Sequence, residues 1–421
     1  MSLTEPPLDL TRRLLHGPGA SGVCDTDDAW AASGAMALTG RPDGPPLGAP
    51  AGLVDGLTRL AGRLAALTAV VGRRVAVDGP ALLGERAALA GLTRRATTSA
   101  GGATRLVRAG DGWLAVALPR ADDIALLPAW LGTDPVDPDD PWPAVTAAIT
   151  PRAVRDLVAD GALLGLAVAG VGERADDGLA RATPRPGACG PVTALADVVV
   201  IDLSSLWAGP LCTQLLAAAG ATVIKVESVQ RPDGARHGTA AFFDLLHAGK
   251  HSVLVDLHDD GDRAALRALL QRADVVVEAS RPRALAHLGL SVAQVAPAGG
   301  PRVWCRLTGH GGAAAERVGF GDDAAVAGGL VAWEDGEPRF VADAAADAAT
   351  GLTAAVAIVD RLVTGGRWTV DVALARTAAA FAVGPATADG LVAAAPRART
   401  LTGVARPLGI DSDEVLRRYA R

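Results

Sequence analysis

Residues 197–228 read DVVVIDLSSLWAGPLCTQLLAAAGATVIKVES, and this stretch decides the fold. Val198 to Leu203 is a short β-branched run, the composition of a strand buried on both faces of a parallel sheet. Ser204 and Ser205 end it, and Ala208-Gly209-Pro210 turns the chain. Leu211 to Ala219 then reads as a helix with Leu211, Leu215 and Leu216 on one side, and Gly220 stops it. Thr222 to Val226 is a second β-branched strand. Strand, turn, helix and strand make one βαβ unit, with room for an anion at the start of the helix.

The same alternation continues toward the carboxyl end. The pattern predicts strands over 252–257, 274–278, 303–307 and 367–372, and helices over 262–272 and 353–362. Gly309 to Gly312 is a glycine loop. The expected class is α/β, a doubly wound and mostly parallel Rossmann-like large domain beside a smaller α+β domain.

Upstream the chain is less regular. Residues 1–26 have little pattern. Asp28 to Leu38, GLTRLAGRLAAL from Gly56 and Arg74-Val75-Ala76-Val77-Asp78 follow one another. The same order returns in Asp323 to Val331, GLTAAVAIVDRL from Gly351 and Trp368-Thr369-Val370-Asp371. Residues 28–95 and 322–390 therefore read as a degenerate internal repeat. Residues 100–175 suit a smaller unit with a strand over 112–118, helical residues 121–131, a proline-rich loop DPVDPDDPWP, and Thr150-Pro151 as the start of a helix through Ala162. Residues 176–196 read as a linker. The boundaries expected are 1–99, 100–190 and 191–421.

Composition excludes several function classes. A formal charge of −6 and a pI near 5.7 argue against a nucleic-acid surface. Cys24, Cys189, Cys212 and Cys305 have no CxxC spacing, which favours reduced thiols over a zinc site. The amino terminus carries acidic residues and prolines without an apolar signal core. No membrane span is expected, and the reading is a cytoplasmic protein. Lys225 and Lys250 are the only lysines; every other basic residue is arginine. Retention of a compact ammonium at two places suggests a specific task there.

DLSSLWAGP followed by GATVIKVE resembles the opening of the family III CoA-transferases, which include the 2-methylacyl-CoA racemases. That family carries this segment at its amino terminus, whereas here it lies mid-chain. Later family segments come first, then early segments and the tail, Arg406 to Arg418. The resemblance runs over 28–421. It implies an enzyme moving CoA from an acyl-CoA to a carboxylic acid, with no metal, in a homodimer of interlocked ring-like chains.

The family nucleophile is an aspartate in a D-x-x-x-G-L motif, which here is Asp347-Ala348-Ala349-Thr350-Gly351-Leu352. A carboxylate at a helix start is held ionised by the dipole and can attack a thioester carbonyl. An ordinary capping aspartate would show the same spacing, and Asp343 is the nearest rival. In the first repeat Gly52 stands opposite Asp347, so one active centre per chain is expected.

CoA is a polyanion, and its site needs cations, amides and apolar walls. The resemblance assigns to it Lys225, Arg236, Leu246 and Lys250 of the LHAGKHS segment, and Ser280 and Arg281 of EASRP. His287, where the family has arginine, and Arg317 complete the set. Arg231 also follows the second strand. His310 of the GHGG loop could act as a base, although loop histidines are usually exposed. A racemase is the alternative; its histidine is absent from Gly319-Phe320-Gly321-Asp322. A non-catalytic CoA-binding protein is the third reading.

Overall fold

The protein, known from a computed structural model, is described over residues 7–20, 25–174 and 178–419, and Cys24 lies outside the described residues. Its strands are β1 (Leu8–Asp9), β2 (Thr104–Arg108), β3 (Trp113–Ala117), β4 (Ala167–Gly170), β5 (Ala180–Arg185), β6 (Val199–Leu203) and β7 (Thr222–Ser228). They continue with β8 (His251–Val255), β9 (Val275–Glu278), β10 (Val303–Thr308), β11 (Val331–Glu334), β12 (Glu337–Phe340) and β13 (Arg367–Ala373).

Eight of these form one sheet in the order β1-β5-β13-β10-β9-β6-β7-β8. From β13 to β8 every neighbour is parallel. Numbered by their appearance in the chain, those six strands run 6-5-4-1-2-3, the dinucleotide-fold order. The order reverses between β6 and β9, and there the ligand crevice of such sheets opens beyond the carboxyl ends of the strands. The VVIDL, TVIKVES and VVVE runs are strands because β-branched residues pack well on both faces of a pleated sheet. The first copy of the repeat lends no strand to this sheet: residues 74–78 form no regular element, unlike β13.

Two sequence expectations are corrected here. The stretch read as a linker contains β5, which pairs antiparallel with β13 along Ala180–Arg185 and with β1 at Ala182 and Arg181. Thr150 does not open a helix but ends the one over Trp142–Ile149; the next helix is Val154–Leu164, entered through Ala153. The smaller unit is the antiparallel sheet β2-β3-β4, its apolar face covered by Leu127, Trp130, Val145, Ile149 and Leu157.

The helices that place the site are α1 (Ala51–Val71), α2 (Glu85–Ala90), α3 (Ala208–Ala219), α4 (Ala240–His247), α5 (Gly321–Ala327), α6 (Ala345–Thr364) and α7 (Leu374–Phe381). In α1, Leu53, Leu57, Leu60 and Leu64 fall on one face and are fully buried. Each contributes about 1.5–3 kcal/mol by leaving water. They share one core with α6, α3 and the sheet. Helix α6 is buried along most of its length. It touches α3 at Gly351, where a Cβ would stand 2.6 Å from the Ala208 carbonyl oxygen. The glycine of the D-x-x-x-G-L motif is therefore demanded by helix contact.

An ion cluster fastens the amino-terminal segment to α6. Asp360, fully buried, accepts from Arg13 Nε at 2.6 Å, Arg63 Nη2 at 2.8 Å and Arg361 Nη2 at 2.6 Å. Three cations around one buried carboxylate leave none of its lone pairs without a partner. At the opposite edge of the sheet, Asp411 and Ser412 take backbone N–H groups of β8, from Ser252 at 2.8 Å and Leu254 at 2.9 Å. An open strand edge is thereby covered.

Candidate active site

Asp347 is the third residue of α6 and lies in its first turn. The chain enters the helix through Ala342 and Ala344, both at positive φ, +55° and +44°. Alanine disfavours this region, and such strain persists only where surrounding contacts impose it. Two of those contacts are visible: the Ala344 N–H donates to Asp322 Oδ1 at 3.1 Å, and the Ala342 N–H to Thr39 Oγ1 at 2.9 Å. Gly321, which starts α5, lies against Asp347, and a Cβ there would collide with Asp347 Oδ2.

Three carboxylates, Asp322, Asp343 and Asp347, gather around one guanidinium, Arg86 of α2. Arg86 donates from Nε to Asp343 Oδ2 at 2.8 Å and from Nη2 to Oδ1. Its Cζ lies 5.4 Å from the centre of the Trp207 ring. Asp343 is fully buried and held by this fork, whereas Asp347 keeps part of its surface open. Burial pushes the Asp347 carboxyl up to about 7; Arg86 opposes this, and Asp322 and Asp343 add to it. Burial, then Asp343, likewise raises Asp322. In the first repeat Gly52 occupies the first turn of α1 and donates its N–H to the Val383 carbonyl at 3.0 Å, so that turn is filled by packing.

Trp207 belongs to the DLSSLWAGP stretch and is reached through Leu206, at φ +70°. This loop leaves β6 at the order reversal of the sheet. It is propped from below by both lysines. Lys225 Nζ donates to Asp233 Oδ2 at 2.8 Å and to the Ser204 carbonyl. Lys250 Nζ donates to Asp202 Oδ2 at 3.0 Å, the Pro210 carbonyl at 3.0 Å and Thr213 Oγ1 at 2.7 Å. Both side chains are buried, 2% and 1% exposed. The resemblance places both lysines near the nucleotide; in the structure every proton of the Lys250 ammonium is already used inside the protein. The signal for this was present, since Asp202 and Lys225 face each other in register on the adjacent strands β6 and β7.

The remaining sequence candidates divide. Leu246 is fully buried in the core and offers no wall to a ligand. Arg236 forks onto Glu227, Nε to Oε1 at 2.9 Å and Nη2 to Oε2 at 2.6 Å, and stacks 4.5 Å from the Phe243 ring centre. Arg317 pairs with Glu173 at 2.6 Å and donates to the Val168 carbonyl, so it fastens the smaller unit to the loop after β10. Ser280 is half-buried, and Arg281 and His287 are exposed at the two ends of the helix Pro282–His287, beyond the carboxyl end of β9. These three stand beside the crevice and keep free surface for an anion. His310 is fully buried rather than exposed. Burial, with Arg317 and Arg174 nearby, holds its imidazole down to about 3, a weak base. Among the described residues no group of three His, Cys, Asp or Glu side chains could hold a metal ion. No helix among them is long and apolar enough to cross a membrane.

An open cleft of about 360 Å³ lies elsewhere, between α1, the helix Thr26–Ser33 and residues 74–80, and no candidate site residue lines it. Arg86 was not legible in the sequence, because nothing periodic or motif-like marks it.

Known proteins match parts of the chain. An acyl-CoA transferase of Fusarium pseudograminearum is 31% identical over 194 residues, covering 41% of this chain and 42% of the relative. The succinyl-CoA:mesaconate CoA-transferase of Haloarcula hispanica is 43% identical over 98 residues, 20% of this chain and 24% of the relative. A succinyl-CoA–D-citramalate CoA-transferase of Chloroflexus aurantiacus is 30% identical over 200 residues, 44% and 50%. The chain thus spans about half, or less, of the length of these relatives. The solved CAIB/BAIF family protein from Brucella suis is 32% identical with a TM-score of 0.41, over 44% of this chain and 54% of that one. The family model for CoA-transferase family III matches residues 195–407, half of the chain, and the protein belongs to that family.

Proposed function

We propose that the chain transfers CoA from an acyl-CoA to a carboxylic acid through Asp347. The observation that carries this reading is the position of Asp347: it lies in the first turn of α6 with part of its surface open, whereas Asp343 is buried and clamped by Arg86, and Asp322 accepts from Thr104 Oγ1 and the Ala344 N–H. In the proposed cycle its carboxylate attacks the thioester carbonyl, and CoA leaves as the thiolate. The mixed anhydride is then attacked by that thiolate at the Asp347 carbonyl, which releases the first acid and leaves an aspartyl-CoA thioester. The incoming carboxylate repeats the exchange in reverse order, and the new acyl-CoA departs. No water and no net proton are consumed. A carboxyl near 7 is a better nucleophile when ionised than one near 4, at the cost of being half protonated at neutral pH.

CoA would lie along the crevice between β6 and β9, its anionic groups toward Ser280, Arg281 and His287, with Lys225 and Lys250 shaping the loop rather than touching phosphate. The names of the relatives suggest the acids to try: succinate, glutarate, mesaconate, oxalate and D-citramalate. Succinyl-CoA, acetyl-CoA and formyl-CoA incubated with each acid should give the exchanged thioester, read by mass spectrometry. Hydroxylamine added during turnover should mark the peptide containing Asp347. Deuterium uptake at the α-carbon of a 2-methylacyl-CoA in D₂O, without a trapped adduct, would instead establish a racemase.

A homodimer belongs to the same proposal. Light scattering at micromolar concentration should give twice the chain mass, and a single species near 42.4 kDa would refute it.

A further inference from the structure

We propose that Arg86, supplied by the amino-terminal segment outside the family-matched residues 195–407, is the positioning residue that keeps Asp347 available as an anion. This rests on the reading of Asp347 as nucleophile.

The geometry is built from both sides. Helix α2 is pinned so that Arg86 cannot drift. Its neighbour Glu85, buried, accepts from Arg399 Nε at 2.6 Å and Nη2 at 3.0 Å, and from the Arg399 N–H at 3.1 Å. Arg399 also donates from Nη1 to Gln214 Oε1 of α3 at 2.5 Å. From there the Arg86 fork engages Asp343, and its flat face meets Trp207. A planar, permanently charged group suits this double task, and a lysine could not fork and stack together.

The groups facing Asp347 are Arg86 from α2, Asp322 and the Gly321 backbone from α5, and Asp343 from the strap before α6. Asp322 in turn accepts from Thr104 Oγ1 at 3.3 Å and from the Ala344 N–H. Arg86 is the one cation in that set. With it removed, three acids would share a half-buried site with hydrogen bonds alone to hold their charge. Like charges at such distances cannot all ionise. Asp347 would then stay protonated at neutral pH and lose its nucleophilic form. The amino-terminal segment thereby becomes part of the reaction centre, and the repeat that lacks a nucleophile of its own serves the copy that has one.

The test compares Arg86→Gln and Arg86→Lys with the parent chain over pH 5–9. Exchange by the parent should rise with pH and level off above about 7. In Arg86→Gln the rise should move up by about one unit or more, so that the rate at pH 7 falls about fivefold or more and recovers in alkali. Arg86→Lys should fall between. An unmoved midpoint with a rate lowered equally at every pH would overturn the proposal.

A second readout needs no turnover. The stability advantage of Asp347→Asn over each parent widens with pH from about 4, because the unfolded carboxyl ionises there while the folded one stays protonated. It stops widening at the folded ionisation point, which should lie near 7 with Arg86 present and higher in the Arg86→Gln background. If no CoA ester is exchanged yet this endpoint still moves, the transferase reading fails and the role of Arg86 stands. If exchange occurs and the endpoint does not move, the reverse holds.

Discussion

Asp347→Asn should lower CoA exchange by at least about 10³-fold while the protein still binds the CoA ester. Removal of a covalent nucleophile takes away the whole route, since an amide cannot form the anhydride, and effects of this size follow when such a group is lost. The nucleotide candidates Ser280, Arg281 and His287 lie beyond the end of β9 and do not depend on this carboxylate. Asn also removes a buried charge above pH 7, so the variant should melt higher than the parent in mild alkali, with the difference vanishing near pH 4. Exchange rates with calorimetric binding of a CoA ester would check it. Near-parental turnover by Asp347→Asn, with Asp343→Asn inactive, would move the nucleophile to Asp343.

Lys250→Met should destabilise the protein by about 3–5 kcal/mol, the usual cost of leaving one partner of a buried ion pair alone. Asp202 is fully buried, and its carboxyl is held well below the usual range: burial opposes ionisation, but Lys250 and Lys225 overcome it. In the parent this contribution is complete above about pH 4 and lost only as pH falls through that lowered value. In the variant the stranded carboxyl resists ionisation, so the loss of stability should grow between pH 5 and pH 8. Urea unfolding at the two pH values reads both effects. A variant that unfolds like the parent but binds CoA esters more weakly would return Lys250 to the ligand.

The two lysines show where sequence reading stops. Their rarity marked them as special, and they are, but rarity cannot distinguish a cation that meets a ligand from one that braces a loop. Burial decides that, and burial depends on partners brought from β6 and α3. The parallel strands were legible because each is an uninterrupted β-branched run. By contrast β5, ARATPR, was not, since it carries arginines and Pro184 and owes its conformation to the neighbour β13. Its pairing with β1 covers only Arg181 and Ala182, so Pro184 sits on an open side where a missing N–H costs little. The place of Asp347 at a helix start was legible from its motif. Its surroundings were not, because Arg86, Asp322 and Trp207 come from three distant segments.

Arg86 meets Asp343 across 257 positions of chain. On the ribosome, at about 5–20 residues per second, α2 waits on the order of 10–50 s before the strap it grips has been made. For that interval the leucine face of α1 has no α6 to lie against, although Leu53, Leu57, Leu60 and Leu64 are completely covered in the finished protein. The α1–α2 segment is thus synthesised well before the partners it packs on and is among the last parts to find its place. Its passage to the native state is governed by long-range closure and by whatever shields apolar nascent chain in the meantime.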